Sequence, residues 1–418
     1  MKVSQLFTKT KKDAPADEQA KNAQLLIRAG YIHKEMAGVY TFLPLGLMVL
    51  ENINQIIREE MNAIGGQEMK LTTLQDPEIW KLTDRWDDEK VDVWFKTKLK
   101  SDHELGLGPT HEEPVVRAVR PFLNSYKDLP FMAYQIQTKF RNETRAKSGV
   151  MRGREFLMKD LYSFARTQEE HEKLYEQVKQ AYYKVYDRLG VGDQTFLTFA
   201  SGGMFSQFSH EFQTICEAGE DTIYVDHEKK IAINEEVNND EVLADLGLNR
   251  NSLVEVRAAE VGNIFTLKDK FSKPLGLTFI DEQGKEQAVL MGSYGIGPSR
   301  LVGVITELLS DDKGLVWPDA IAPYRVYLAI IGSDQKVLDS ADKLYEEFQE
   351  IGISVLYDDR DIRPGEKFAD ADLLGIPNRV VISPKTLEQD KIEYKARTSA
   401  ESELLSIEEL KKRLITKK

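Results

Sequence analysis

Arg141 and Glu143 stand two residues apart, just past the alternation Gln135-Ile136-Gln137-Thr138-Lys139-Phe140, which predicts a strand. That spacing predicts that both side chains share one face of the strand. A planar guanidinium grips a carboxylate or a phosphate with two hydrogen bonds, and a carboxylate beside it accepts one from an exocyclic amine. A polar loop with Gly149 and Gly153 follows, and then a second strand-like run, Arg154-Glu155-Phe156-Leu157-Met158. The pattern is a hairpin with a long basic loop. From Lys139 to Lys159 there are seven Lys/Arg (Lys139, Arg141, Arg145, Lys147, Arg152, Arg154, Lys159) but only two Glu, in a chain with 56 basic and 69 acidic residues. A positive island in a negative protein points to a polyanionic ligand. Charge alone does not separate this from a surface hairpin whose ion pairs solvate one face for ~0–1 kcal/mol each.

Three further stretches carry candidate chemistry. After the turn Gly108-Pro109, Thr110 and Glu112 alternate onto one face, where a hydroxyl and a carboxylate suit an ammonium or a secondary amine. The local pattern itself favours a capping box, with Thr110 as the cap and Glu113 three residues on. A glycine-rich segment from Ser201 leads to Ser209-His210-Glu211-Phe212-Gln213; on residue type His210 reads as a core histidine, and Phe205 and Phe208 as core packing. In Met291–Arg300, MGSYGIGPSR, glycines that admit close backbone approach precede a helix expected over 300–309, with Arg300 at its start. As a dinucleotide fingerprint this fails, because Arg300 replaces the third glycine.

The elements that must position these groups follow from periodicity. Helices are expected over 20–29, 47–64 (closed by Gly65-Gly66) and 171–189, with a short strand over 68–74. Residues 220–260 read as a strand, an acidic turn and a short linker, and 260–265 and 270–272 as strand-like. Trp317-Pro318 and Ile321-Ala322-Pro323 mark a boundary. Beyond it lies an α/β unit of about 95 residues, with strands at 326–331, 353–357 and 380–383 and a helix at 335–351. The terminal KKRLITKK ends a helix and suits its dipole.

Length and composition set limits. A chain of 418 residues predicts two or three domains, and 41% hydrophobic with 30% charged residues is ordinary for a globular enzyme. One cysteine, Cys216, excludes an internal disulfide framework and a cysteine-based zinc site. The six histidines show no ligand spacing, so no protein-only metal site is expected. No apolar run spans a bilayer, and the N-terminus is too polar for a signal peptide, so a cytoplasmic protein without a membrane is expected. The net charge of −13 argues against a general nucleic-acid binder but allows local basic patches.

The run FRNE, a loop, then RGREF resembles motif 2 of class II aminoacyl-tRNA synthetases, and YQIQTKFRNE…GVMRGREFLMKDLYSF resembles the prolyl-tRNA synthetases of the bacterial type. The helix and strand over 47–74 resemble motif 1, which implies a homodimer, although Thr72 stands where the family usually carries proline. RAGYIHKEMAGVYTFLPLG, GPTHEE and EVGNIF…KFS are similar to family segments, and MGSYGIGPSR resembles motif 3. The resemblance implies an α+β fold: an antiparallel-sheet catalytic domain over 1–320, then a small α/β anticodon-binding domain over 324–418. It implies ATP-dependent activation of proline to prolyl-adenylate and transfer to the 3′ end of tRNA(Pro), with Mg2+ accompanying ATP. Arg141 and Arg300 would be catalytic. Glu143, Arg152, Phe156, Gln213, Gly295 and Gly297 would join them around ATP. Thr110, Glu112, Met158, His210 and Ser293 would bound the proline together with Arg141. Arg360, Lys367 and Phe368, in a loop over 358–368, would meet the anticodon through charge and stacking. The large hydrolytic editing domain common in the bacterial family has no room, since 220–260 is about forty residues and a domain needs at least ~50. Two alternatives stay open: a paralogue that binds tRNA without activating an amino acid, and a sister enzyme of the threonine or serine type.

Overall fold

The computed structural model describes residues 1–144, 146, 148–201 and 208–416. Two compact units divide it: residues 35–40 and 53–304 form one, and 1–34, 41–52 and 305–418 the other. Composition suggests instead a single cut near 320–324.

Chain order gives α1 (Lys21–Arg28), α2 (Pro44–Ala63), β1 (Gly66–Glu68), β2 (Phe131–Phe140) and β3 (Glu155–Ala165). Gly65, at φ +85°, turns the chain out of α2, as the Gly-Gly pair predicts. The strand expected over 68–74 splits into β1 and a two-residue strand, Leu74–Gln75. β2 and β3 pair antiparallel from Phe131 opposite Phe164 to Phe140 opposite Glu155, which is the expected hairpin. Arg145 and Lys147 of its loop lie outside the described residues.

Seven more strands complete a nine-stranded sheet: β4 (Thr195–Ser201), β5 (Phe208–Ile215), β6 (Asp221–Asp226), β7 (Ile231–Asn234), β8 (Val254–Lys268), β9 (Leu290–Ile296) and the short β1. Their order is β5-β4-β7-β6-β8-β9-β3-β2-β1, and β5 also pairs with the long β8. Only the β1–β2 and β7–β4 pairs are parallel. Residues 220–260 are thus no linker. β6, β7 and the helical turn Asp240–Asp245 bury Ile233, Val237, Val242, Leu243 and Leu248 in a cluster of their own.

The sheet has two different faces. Helix α3 (Gln168–Arg188) covers one with Leu174, Val178, Tyr182, Val185 and Tyr186. The other carries the cleft, flanked by a core of Val115, Val116, Tyr162, Phe164, Phe271 and Met291.

In the second unit, β10 (Val326–Ile330) pairs parallel with β11 (Val355–Asp358) and β12 (Asn378–Ile382), and Ile392–Ala396 and Glu403–Leu405 extend the sheet antiparallel. The N-terminal segment is tied into this unit. The Met1 amine donates to the Tyr345 hydroxyl (2.7 Å), Thr10 Oγ1 to Asp370 (2.7 Å) and Tyr31 OH to the Leu374 carbonyl (2.7 Å). No helix among the described residues is long and apolar enough to cross a membrane.

Candidate active site

β2 ends at Phe140, so Arg141 and Glu143 lie on the loop just beyond the strand rather than on its face. A pair of contacts fixes the turn: the Arg141 amide donates to the Arg154 carbonyl (2.9 Å) and the Glu143 amide to the Arg141 carbonyl (2.7 Å). Arg141 lies over the Phe156 ring, 5.3 Å from its centroid, and its Nε donates to the Pro109 carbonyl (3.3 Å).

Arg300 reaches the same place from the far end of the unit. β9 delivers Gly295, and the following helix, Pro298–Leu309, begins two residues before Arg300, earlier than periodicity predicts. A Cβ on Gly295 would come within 2.9 Å of Asn263 Oδ1, so a larger residue here would displace the Asn263 side chain. Arg300 Nε donates to the Met151 carbonyl (2.9 Å), and its guanidinium lies 3.6 Å from Glu260. Arg141 and Arg300, with Glu143, Arg152 and Glu260, line two adjoining cavities of about 60 and 220 Å³. Phe156, Met158, Gly295 and Gly297 line the first. Burial, and after it the charge of Arg300, push the Arg141 guanidinium below its ordinary range, while Glu260 and Glu143 act against that shift. Arg152 crosses the opening: Nη2 and Nε bond Glu143 (2.7 and 3.0 Å), and Nη1 pairs with Glu220.

Next to Arg141 sits a second group of residues. Thr110 does not cap the helix that follows. The cap residue is His111, without a side-chain cap bond, and the helix runs Glu112–Val119. The Thr110 hydroxyl instead donates to Glu112 Oε2 (2.6 Å), and Ser293 Oγ donates to Glu112 Oε1 (3.3 Å). Arg85 binds both Glu112 (3.3 Å) and Glu113 (3.0 Å), with its guanidinium 5.3 Å from the Trp80 ring and 5.2 Å from that of Phe271. Burial opposes the charge on Glu112, but Arg85 and the Thr110 hydroxyl outweigh it, so this carboxyl sits below its usual range. Glu113 goes the other way, pushed up to about 7 chiefly by burial.

Beneath this pair lies a buried polar chain. His111 Nε2 donates to the Thr72 carbonyl (2.9 Å), which leaves Nδ1 as acceptor for Lys139 Nζ (2.7 Å). Lys139 also pairs with Asp160 (2.7 Å), which accepts from Gln135 (3.0 Å) and Tyr162 (2.9 Å). Lys139 and Lys159 are fully buried, and Lys159 donates to the Tyr182 hydroxyl and the Tyr294 carbonyl. Neither adds to the exposed positive field that the hairpin's charge count suggests.

Two expected site residues stand elsewhere. His210 lies opposite Ile264, whereas its neighbour Glu211 lies opposite Asn263, which lines the cleft. Strand alternation therefore turns His210 to the helix-covered face, where Nδ1 bonds the Tyr175 hydroxyl (2.6 Å) and Phe199 stacks edge-on. This corrects the expected proline contact and agrees with the core histidine that residue type suggests. Gln213 is buried with its amide nitrogen on Glu211 and Asp221 (2.8 Å each), one layer behind the cavity wall. Phe205 and the side chain of Phe208 lie outside the described residues.

Burial, and next Lys179, hold the His210 pKa down at about 4. The sign follows: a folded pKa below the unfolded ~6.5 stabilises above pH ~6.5 and is lost as pH falls toward 4. In denaturant titrations between those limits, His210→Gln is expected to lose stability less steeply than the parent, by up to ~1.4 kcal/mol per pH unit. Equal slopes would contradict the buried neutral state.

In the second unit, Asp358 ends β11 and α4 (Pro364–Leu374) begins within the stretch expected to be loop. Lys367 is buried, with Nζ on the Ile330 (2.9 Å) and Asp358 (3.2 Å) carbonyls, and cannot reach a base. Arg360 is bound to Asp358 (2.8 Å) and Asp370 (2.9 Å). Phe368 is half-buried, with the Arg379 guanidinium 4.2 Å above its ring.

Sequence reasoning gave no role to Arg85, Asp160, Asn263 and Glu260, and it counted Lys139 only as part of the basic island. Lys159-Asp160 carries a signal, as charges inside the apolar run Phe156–Phe164 must be paired or functional. Arg85 carries none, because its carboxylates lie 27 and 28 residues away.

A nine-stranded antiparallel-rich sheet with two arginines converging on one cleft, followed by a small α/β unit, defines a class. Residues 95–308 match the family described as "tRNA synthetase class II core domain (G, H, P, S and T)", and residues 325–417 match "Anticodon binding domain". Proline–tRNA ligases from Zymomonas mobilis and Rickettsia akari are each 38% identical to this chain, covering 98% of it and 97% and 99% of their own lengths. A crystal structure of prolyl-tRNA synthetase from Cryptosporidium parvum, complexed with L-proline and AMP, shares the fold at a TM-score of 0.77 and 18% identity, over 94% of this chain and 74% of that one. The chain belongs to the proline–tRNA ligase family of class II synthetases.

Proposed function

We propose that this chain activates proline with ATP and transfers it to the 3′ end of tRNA(Pro). The observation that carries the reading is the convergence of Arg141 and Arg300 on one cavity beside the Thr110–Glu112 pair. A secondary ammonium has two N–H donors. Thr110 Oγ spends its own proton on Glu112 and so offers a lone pair, and the Glu112 carboxylate offers the second acceptor. Met158 and Ser293 bound the ring. Arg141 then bridges the proline carboxylate and the α-phosphate. A carboxylate oxygen attacks the α-phosphorus, the bond to the bridging oxygen breaks, and pyrophosphate leaves. A ribose hydroxyl of tRNA next attacks the prolyl carbonyl, and AMP departs. Positioning and charge stabilisation supply the catalysis.

Phe156 stacks on adenine, Glu143 accepts from its amine, and Gly295 and Gly297 admit the nucleotide. Arg300 and Arg152 hold the outer phosphates. Arg152 must first release Glu143 and Glu220, since neither cavity alone reaches the ~300 Å³ usual for a small-molecule site. Glu260, which lines both cavities, would offer Mg2+ the oxygen donors that ion takes. Burial, and then the charge of Glu260, push Glu211 up to about 8. No group of three or more ligating side chains occurs among the described residues, so the ATP phosphates would hold Mg2+ with Glu260 and Glu211 alongside. Bound there, the ion would neutralise charge on the outer phosphates. A cytoplasmic homodimer, built on the helix and strand over 47–74, belongs to this reading. The test is ATP–pyrophosphate exchange over a panel of amino acids; exchange with threonine or serine but not proline would overturn it.

Selectivity has a limit. A proline pocket excludes larger side chains, but each missing methylene is worth only ~1–3 kcal/mol, so alanine enters. With residues 220–260 folded into the sheet, alanyl-tRNA made in error is expected to persist. Incubation with purified enzyme should leave it acylated; rapid deacylation would contradict this.

A further inference from the structure

The second unit holds an open groove of about 810 Å³ between α4 and the N-terminal segment. Its lining combines Ile362 and Phe368 with Lys11, Lys12, Arg28 and Lys313. These four cations belong to neither matched family segment, as those cover residues 95–308 and 325–417.

The charges in this groove do not cancel. Asp370 is taken by Arg360 (2.9 Å) and the Thr10 hydroxyl (2.7 Å), and Asp372 lies 3.9 Å from Arg379. Of the lining carboxylates, only Glu366 has no cation partner among the described residues. Lys11, Lys12, Arg28 and Lys313 have no carboxylate partner among them either. Arg28 Nε donates to the Lys12 carbonyl (3.1 Å), and the Lys11 amide donates to the Arg28 carbonyl (2.7 Å), so the strap over residues 11–12 is pinned to the end of α1. Four unneutralised cations against one carboxylate, in a protein of net charge −13, form a local anion site. The same groove is lined by the Phe368 ring, which carries the Arg379 guanidinium 4.2 Å above it. Cations and a stacking platform in one groove suit a single strand of nucleic acid, with phosphates on the lysines and a base on the ring.

We propose that Lys11, Lys12, Arg28 and Lys313 are phosphate-gripping cations of this groove that hold a single-stranded stretch of the tRNA against Phe368. The N-terminal strap is thus part of the RNA site. This rests on the tRNA-charging reading above and extends it to residues outside the anticodon-binding segment.

The test is the triple variant Lys11→Ala/Lys12→Ala/Lys313→Ala, assayed with unmodified tRNA(Pro) transcript. These side chains are exposed, so the fold stays intact. In filter binding from 50 to 200 mM salt, the slope of log K against log salt should fall by about 2, from three contacts at ~0.7 each. The KM for tRNA should rise at least tenfold, while tRNA-independent ATP–pyrophosphate exchange with proline stays at the parent's level. A control variant, Lys230→Ala/Lys285→Ala, should keep the parent's slope. An unchanged slope and KM in the triple variant would overturn the proposal, as would an equal change in the control. Failure of the underlying reading is separate: it appears as no exchange with proline in the parent itself.

Discussion

Arg141→Ala is expected to lower kcat/KM for proline-dependent ATP–pyrophosphate exchange by at least 10²–10³-fold, the scale of removing one preorganised donor from developing charge. Arg141 meets both reacting partners, so the loss should fall on kcat as well as on binding. Arg141→Lys should recover little, because a point charge lacks the planar fork that holds a carboxylate and a phosphate together. Stability should move the other way. In the free protein Arg141 is half-buried beside the charge of Arg300, so deleting it removes that repulsion together with the weak Pro109 carbonyl bond (3.3 Å). A thermal melt without ligand should show a Tm equal to or above the parent's, an exchange of stability for function. Parent-like exchange would refute the assignment, and a collapsed melt would give Arg141 a structural role instead.

Glu112→Gln comes second. The substitution keeps shape and removes charge. Its oxygens now hold the Thr110 and Ser293 hydroxyls, and the same group is proposed to take the amine of proline. A charge-assisted bond is worth ~1.5–3 kcal/mol, so KM for proline should rise roughly 10- to 150-fold while KM for ATP changes little. A second readout belongs to the neighbour. Arg85 serves Glu112 and Glu113 together, and the charge of Glu112 helps raise Glu113. In Glu112→Gln the Glu113 carboxyl should titrate below about 7, an effect that mere loosening of the pocket would not produce. Equal rises in KM for both substrates would place the damage in the fold and remove Glu112 from the proline site.

Much of this was legible because it is local. The hairpin at Phe131–Ala165 follows from alternation on either side of a polar loop, and α2 from apolar residues at three and four closed by Gly65. Residue types singled out Arg141, Glu143 and Arg300, and the family resemblance added Arg152, Phe156 and Met158; all six line one cavity. What failed was of a different kind. Alternation requires His210 and Glu211 to face opposite ways, but which way depends on where Gln168–Arg188 packs, more than twenty residues upstream. Lys139, Lys159 and Lys367 counted as available charge, although each is buried on partners that no window of sequence contains. The capping box at Thr110 was a sound local choice that lost to a tertiary one, since its hydroxyl is drawn to Glu112 within a site that Arg85 and Ser293 complete.

Sequence by itself therefore determined the elements, the family and the inventory of chemical groups, because backbone periodicity and residue type are properties of neighbours in the chain. Only the tertiary structure decided which cations remain free to meet a ligand and which face of each strand meets the cleft. Charge becomes function only where burial and partners leave it uncompensated, and those partners lie tens to hundreds of residues away.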